Sequence, residues 1–243
     1  MDIIQESPSL ITEFHLDNQS FDSKTITVQT IKEIQGGLIL KNVLTNQECD
    51  LIVNSIFSSD KHASLPVQPV LFRGWSDQPN DEYKKLGIRV IRTSEELANI
   101  LSERIKEHVP KQLSTPSSKG DIEWNYSGLS QRHRFIRYDT DQHFPTHMDG
   151  PYNKTDYQRS HITILFYLND DFEGGELNFV EAETNEQNQN KVSDEYKTSN
   201  ITSIRAEKGM VVIFPHKNLH TSSPIIKGHK YLIRNDLMYT INS

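Results

Sequence analysis

The stretch Gln142-His143-Phe144-Pro145-Thr146-His147-Met148-Asp149-Gly150 sets an imidazole and a carboxylate two residues apart, and another histidine, His220, lies far downstream. In an extended strand residues i and i+2 share a face, so His147 and Asp149 can offer a ring nitrogen and an oxygen to one point. If a late strand runs beside the early one, His220 adds a third ligand. Two histidines and one carboxylate take one face of an octahedral ion and leave the other open, the donor set of non-haem Fe(II). A turn histidine beside a surface aspartate gives the same triplet, so the rest of the chain has to decide. His143 and His216 each lie four residues before a candidate ligand and are its rivals, although supporting or packing roles suit them better.

Such a set needs strands to hold it, and the second half of the chain supplies them. Arg134 to Tyr138, His161 to Leu168, Glu176 to Val180, Met210 to Phe214 and Lys230 to Tyr239 are rich in branched and aromatic residues and are separated by turn residues. Short strands in this number imply a mainly β fold, a sandwich or jelly roll, with α-helices buttressing one outer face. The helices precede it. Thr45 caps one whose apolar stripe includes Cys49, Leu51, Ile52, Val53 and Ile56. Thr93-Ser94-Glu95-Glu96 opens another, carried by Leu97, Ile100, Leu101, Ile105 and Val109 until Pro110 stops it.

A single domain of three parts is expected: an irregular arm over 1–30, a helix and strand support region over 31–128, and a core over 129–243. Leu38-Ile39-Leu40 and Val70-Leu71-Phe72 read as short strands in the support region, and residues 62–85 and 113–121 otherwise as loop. Residues 181–200 form a polar insertion too poor in apolar side chains to order itself, either a solvated surface loop or a lid.

Composition narrows the partners. The 243 residues carry a formal charge of −7, which argues against nucleic acid or an anionic membrane as an obligatory partner. Cys49 is the only cysteine, so neither an intrachain disulfide nor a cysteine-built zinc site can form. No apolar run is long enough to span a bilayer, and the acidic N-terminus does not read as a signal peptide. A soluble intracellular protein, cytoplasmic or nuclear, is expected.

Taken together, Arg137-Tyr138, the His147/Asp149 pair, Tyr167-Leu168-Asn169-Asp170, Gly174-Gly175-Glu176, Gly209-Met210, His220 and Gly228-His229-Lys230 resemble the 2-oxoglutarate and Fe(II) dependent dioxygenases of the prolyl 4-hydroxylase type. The likeness is close over 129–240 and looser over Gly37 to Ser58. It implies a double-stranded β-helix (jelly roll), with Fe(II) on His147, Asp149 and His220. Co-substrates would be 2-oxoglutarate and O2, with ascorbate as a compatible accessory reductant. It also implies that Lys230 anchors the far carboxylate of 2-oxoglutarate, that Tyr167 hydrogen-bonds it and that Tyr138 lines the pocket. Arg234 is the rival anchor, because residues 230, 232 and 234 share a strand face. The resemblance points to hydroxylation of a prolyl or other side chain of a protein or peptide. A small-molecule or free amino-acid hydroxylase, and a catalytically silent binding module, are the alternatives. Asp141 stands where glycine is usual in the family, and aspartate is one of the few residues that tolerate a left-handed backbone there.

Overall fold

A computed structural model describes residues 16–57, 68–69, 86–118, 120–182 and 198–241. Its strands, in chain order, are β1 (Thr27–Thr30), β2 (Leu38–Lys41), β3 (Gln68–Pro69), β4 (Ile88–Thr93), β5 (Gln112–Thr115), β6 (Ile122–Leu129), β7 (Arg132–Tyr138), β8 (Phe144–His147) and β9 (Asn153–Thr155). They continue with β10 (Gln158–Tyr167), β11 (Glu173–Gly174), β12 (Leu177–Ala182), β13 (Thr198–Ile204), β14 (Val211–Pro215), β15 (His220–Ser222), β16 (Ile225–Lys227) and β17 (Lys230–Thr240). Helices α1 (Asn46–Phe57) and α2 (Glu95–Ile105) lie between the early strands.

The larger sheet runs β1-β2-β14-β10-β17-β7-β4-β3, with β5, β6 and β9 joined to its members, and the smaller runs β13-β12-β15-β8. Period-two alternation gives the larger sheet two faces. On β10, Ile162, Ile164 and Phe166 enter a core shared with Cys49, Ile52 and Ile56 of α1 and Leu97, Leu101 and Ile105 of α2. Leu165 and Tyr167 point the other way and meet Leu177 and Phe179 of the smaller sheet. Phe179 stands edge-on to Phe214 of β14, with ring centroids 5.0 Å apart, so the two sheets are packed through aromatic contact. This is the jelly roll, with its helices on one outer face.

Capping holds the helices in register with the sheet. Thr45 and Glu48 form a reciprocal capping box, the Thr45 amide donating to Glu48 Oε2 at 2.8 Å and the Glu48 amide to Thr45 Oγ1 at 3.2 Å. Ser94 accepts from the Leu97 amide at the start of α2. Arg104, buried near the end of α2, bonds both Glu48 oxygens at 2.7 and 3.0 Å and so clamps one helix to the other.

Three expectations need correction. The arm over 1–30 is not irregular throughout: Leu16 and Ile26 are buried, and Thr27–Thr30 pairs antiparallel with Leu38–Lys41. Gln112–Thr115 is a strand paired with β6, where a loop was expected, because the cross-strand partner outweighs its weak local signal. The polar insertion over 181–200 begins and ends in strand, since β12 and β13 pair through Glu181, Ala182 and Thr198 to Asn200, while its remainder, 183–197, on which the choice between surface loop and lid turns, lies outside the described residues. The expected strand at Val70 to Phe72 lies outside the described residues, and β4 was missed altogether. No helix among the described residues is long and apolar enough to cross a membrane.

Candidate metal centre

His147 is the last residue of β8 and pairs in register with His220, the first of β15, so neighbouring strands bring the two imidazoles together with centroids 4.2 Å apart. Asp149 lies two residues beyond the end of β8. Its amide donates to the His216 carbonyl at 3.0 Å, and this bond, together with the strand's face, turns the carboxylate toward the histidines. Asp149 Oδ1 is 3.6 Å from His147 Nε2, and Oδ2 is 3.8 Å from His220 Nε2. One ligand atom from each residue lies within 4.8 Å of the others, the only such group of three among the described residues.

The hydrogen bonds of the rings test whether this triad suits a metal. His147 Nδ1 lies 2.9 Å from the Pro145 carbonyl, and His220 Nδ1 lies 2.9 Å from the Asn218 carbonyl. A carbonyl only accepts, so both rings carry their proton on Nδ1 and present a bare Nε2 lone pair to the centre. Burial and the neighbouring His147 hold His220 down to about 4, which keeps it neutral and ligating. Burial alone would raise the Asp149 pKa, but Arg234 and His147 outweigh it and hold the carboxyl well below its usual range. Two Nε2 atoms and an ionised oxygen converge, and the donor set fits Fe(II).

Thr163 Oγ1 donates to Asp149 Oδ2 and lies 2.9 Å from His216 Nδ1, so the His216 ring must donate to Thr163. Ser160 Oγ, 2.8 Å from His216 Nε2, donates in turn to that ring. The rival His216 therefore supports Asp149 from behind and is not among the converging ligands. His143 is half-buried and also stands outside them.

The triad opens into a cavity of about 480 Å³ between the sheets, lined among others by Tyr138, Leu165, Tyr167, Lys230 and Leu232. Lys230 is 2 % exposed; its ammonium donates to the Gly175 carbonyl at 2.6 Å and to Ser222 Oγ at 3.0 Å. Burial presses its pKa down to about 7, against an opposing pull from Glu176. Tyr167 presents a buried hydroxyl with no hydrogen-bond partner, and Lys230 Nζ is 5.5 Å from the centroid of its ring and 5.7 Å from that of Tyr138. A buried lysine with capacity to donate, beside an unused phenol, is a cradle for one carboxylate, and 2-oxoglutarate carries such a group at its far end.

Arg234 is placed otherwise. Its Nη2 lies 2.9 Å from Asp149 Oδ1 and its Nη1 3.2 Å from Asp236 Oδ1, so its charge is engaged at the metal end of the pocket. Ser222 and Thr163 were missed in the sequence. Ser222 was readable in principle, lying two residues past His220 on the same strand face. Gly174 and Gly175 hold the expected tight turn at φ +78° and +69°, and Asp141 does adopt the left-handed backbone, at φ +68°.

The family described as the 2OG-Fe(II) oxygenase superfamily matches residues 133–235, which include every residue of the triad and the lysine cradle. No curated protein is significantly similar in sequence. Among solved structures, the viral collagen prolyl hydroxylase of Paramecium Bursaria Chlorella virus-1 is similar at 15 % identity and a TM-score of 0.49, over 86 % of this chain and 97 % of that one. A Pseudomonas putida prolyl-4-hydroxylase gives 10 % and 0.47 over 86 % and 94 %. A Trichoplax adhaerens prolyl hydroxylase, solved with a hypoxia inducible factor peptide, gives 17 % and 0.47 over 84 % and 83 %.

Proposed function

We propose, on the match of residues 133–235 to the 2OG-Fe(II) oxygenase superfamily, that His147, Asp149 and His220 hold Fe(II), that Lys230 with Tyr167 and Ser222 takes the far carboxylate of 2-oxoglutarate, and that the substrate is a prolyl or other side chain of a peptide or protein. The enzyme is an Fe(II)- and 2-oxoglutarate-dependent dioxygenase. When bound, iron and 2-oxoglutarate supply the oxidising chemistry: O2 is consumed, 2-oxoglutarate leaves as succinate and CO2, and one oxygen atom enters a substrate C–H bond.

What the chain contributes is position and dryness. The Pro145 and Asn218 carbonyls fix the ring orientation of the two histidines, and Thr163 holds one oxygen of Asp149. Tyr138, Leu165 and Leu232 keep water from the carboxylate cradle, where the Lys230 charge acts at short range in a poorly screened setting. The convergence of two bare Nε2 atoms and Asp149 at the mouth of a pocket that ends in Lys230 carries the reading.

A peptide substrate is supported by the order of the smaller sheet. Among the described residues it ends at β8, the strand that bears His147, so an extended chain laid along β8 would pass its side chains beside the triad. A reducing compartment, cytoplasm or nucleus, accords with a lone buried cysteine.

The test is direct. Iron-loaded protein with 2-oxoglutarate and O2 should release succinate, and peptides screened beside it should gain one oxygen atom by mass. His147→Ala, Asp149→Ala and His220→Ala should each abolish both signals, whereas His143→Ala should retain turnover. Full turnover by any of the three triad variants would remove the assignment.

A further inference from the structure

The cavity holds more positive charge than its co-substrate needs. Its lining includes five charged side chains, Arg89, Arg134, Asp149, Lys230 and Arg234, of which four are cations. Lys230 and Arg234 stand on the same face of β17, four residues and about 13 Å of strand apart. Leu232 and its cross-strand neighbour Ile136 form an apolar strip between them. Lys230 marks one pole. The second pole is at the other end, where Arg134 of β7 sits directly opposite Arg234 in the antiparallel register. Two like charges directly opposite each other destabilise a sheet unless something offsets them.

Two carboxylates do so here. Asp236 lies 2.8 Å from Arg134 Nη1 and 3.2 Å from Arg234 Nη1, and Asp149 lies 2.9 Å from Arg234 Nη2. Asp149, however, is also the candidate metal ligand. A divalent ion there would compete with Arg234 for the Asp149 charge, so that the two guanidinium groups would be offset mainly by Asp236. The keto-acid end of 2-oxoglutarate is committed to the metal and its far end to Lys230, so the co-substrate does not fill the second pole.

We propose, building on the dioxygenase reading above, that the Arg134–Arg234 pair is a substrate subsite that binds a carboxylate close to the oxidised carbon, and that metal loading makes it available. The substrate class is then narrower: an amino-acid-like molecule with its own carboxylate, or a peptide with an aspartate or glutamate next to the oxidised residue. Guanidinium forks are suited to this, because they can give two parallel hydrogen bonds to a carboxylate. Arg89, on the strand beyond β7, adds positive charge to the same cavity.

The test uses the full chain loaded with Mn(II) and 2-oxoglutarate under nitrogen, titrated calorimetrically with matched probes. One pair is N-acetyl-proline and its amide; the other is a capped tetrapeptide with glutamate or glutamine before proline. In at least one pair the acid should bind about tenfold tighter than the amide, the worth of one charge-assisted hydrogen bond. Preference in the first pair assigns a free carboxylate and in the second an acidic peptide. Arg134→Gln should reduce the preference to below about threefold while Mn(II) and 2-oxoglutarate affinities stay within about twofold, and Arg134→Lys should keep part of it. Should the glutamine variant not fold, metal-free wild type serves, because Asp149 then reclaims Arg234 and the preference should shrink. Equal binding of acid and amide, no binding of either acid, or a preference unchanged without metal overturns the subsite. None of these outcomes touches iron-dependent succinate release, which tests the dioxygenase reading separately.

Discussion

Lys230 and Arg234 share a strand face, and the difference between them lies in what each already holds. Lys230 hydrogen-bonds a carbonyl and a hydroxyl, whereas Arg234 is ion-paired to Asp149 and Asp236. Lys230→Ala should therefore weaken 2-oxoglutarate by about thirtyfold or more, the lower end of a buried charge-pair loss of about 2–5 kcal/mol, with little change in metal affinity. Arg234→Ala should do the opposite, altering metal affinity through Asp149 and 2-oxoglutarate binding less. Calorimetry of Mn(II) and then of 2-oxoglutarate separates the two, and a larger 2-oxoglutarate loss in Arg234→Ala would reverse the assignment. A pH dependence follows from the same lysine. Burial holds it at about 7 in the free protein, and an incoming carboxylate must raise it. Affinity should accordingly be greatest below about pH 7 and fall as pH climbs toward the higher pKa of the complex, with proton uptake on binding throughout that window. Titrations at pH 8 in buffers of different ionisation enthalpy would count the proton; zero uptake would show that Lys230 stays charged without its ligand.

At the scale of elements, the Gly174 turn sets β11 against β16, between β15 and β17, and on the other face of the larger sheet Arg104 ties α2 to α1. Gly174 is the stricter: a Cβ there would lie 2.3 Å from the Pro224 carbonyl oxygen, with φ at +78°. Gly174→Ala should unfold the turn that leads to the Gly175 carbonyl on Lys230, and a fall of several degrees in Tm, with weaker 2-oxoglutarate binding, would register it. The other joint is Arg104 on Glu48, with side-chain exposures of 1 % and 12 %. Removing the arginine strands a carboxylate between two helices, so Arg104→Ala should cost about 3–5 kcal/mol in urea unfolding; a loss under about 1 kcal/mol would mean the helices pack without it. The helices were legible because caps and a 3.6-residue stripe are local, as Thr45 and Ser94 illustrate, although α2 ends at Ile105 and passes into a 3-10 turn over Lys106–His108, short of the expected Val109. So were β7, β10, β12, β14 and β17, whereas β6 and β13, both longer than β14, were not. β4 and β5 were not, since Ile88–Thr93 and Gln112–Thr115 owe their form to partners on β7 and β6 and carry little alternation of their own. The candidate metal triad could be read because its spacing is chemical. The Arg134–Arg234 pair could not, because only the register of β7 against β17 brings it together.

For the whole molecule, the decisive fact is that the two halves of the site belong to different sheets. His147 and His220 sit on β8 and β15 of the smaller sheet, whereas Lys230 and Tyr167 sit on β17 and β10 of the larger. Metal alone should then tighten mainly the smaller sheet, and 2-oxoglutarate, held by the metal at one end and Lys230 at the other, should fasten one sheet to the other. Either ligand at about a hundred times its Kd should add about 2.7 kcal/mol to global stability by mass action. Where the added protection appears is the sharper observable. Amide hydrogen exchange after Mn(II) should slow in β8 and β15, and only the further addition of 2-oxoglutarate should slow β17 and β10 next to Lys230 and Tyr167. In Lys230→Ala the second step should vanish while the first persists, because the metal ligands are untouched. Protection by 2-oxoglutarate that remained confined to the smaller sheet would mean that the far carboxylate never reaches β17, and the cradle would have to be sought elsewhere in the cavity.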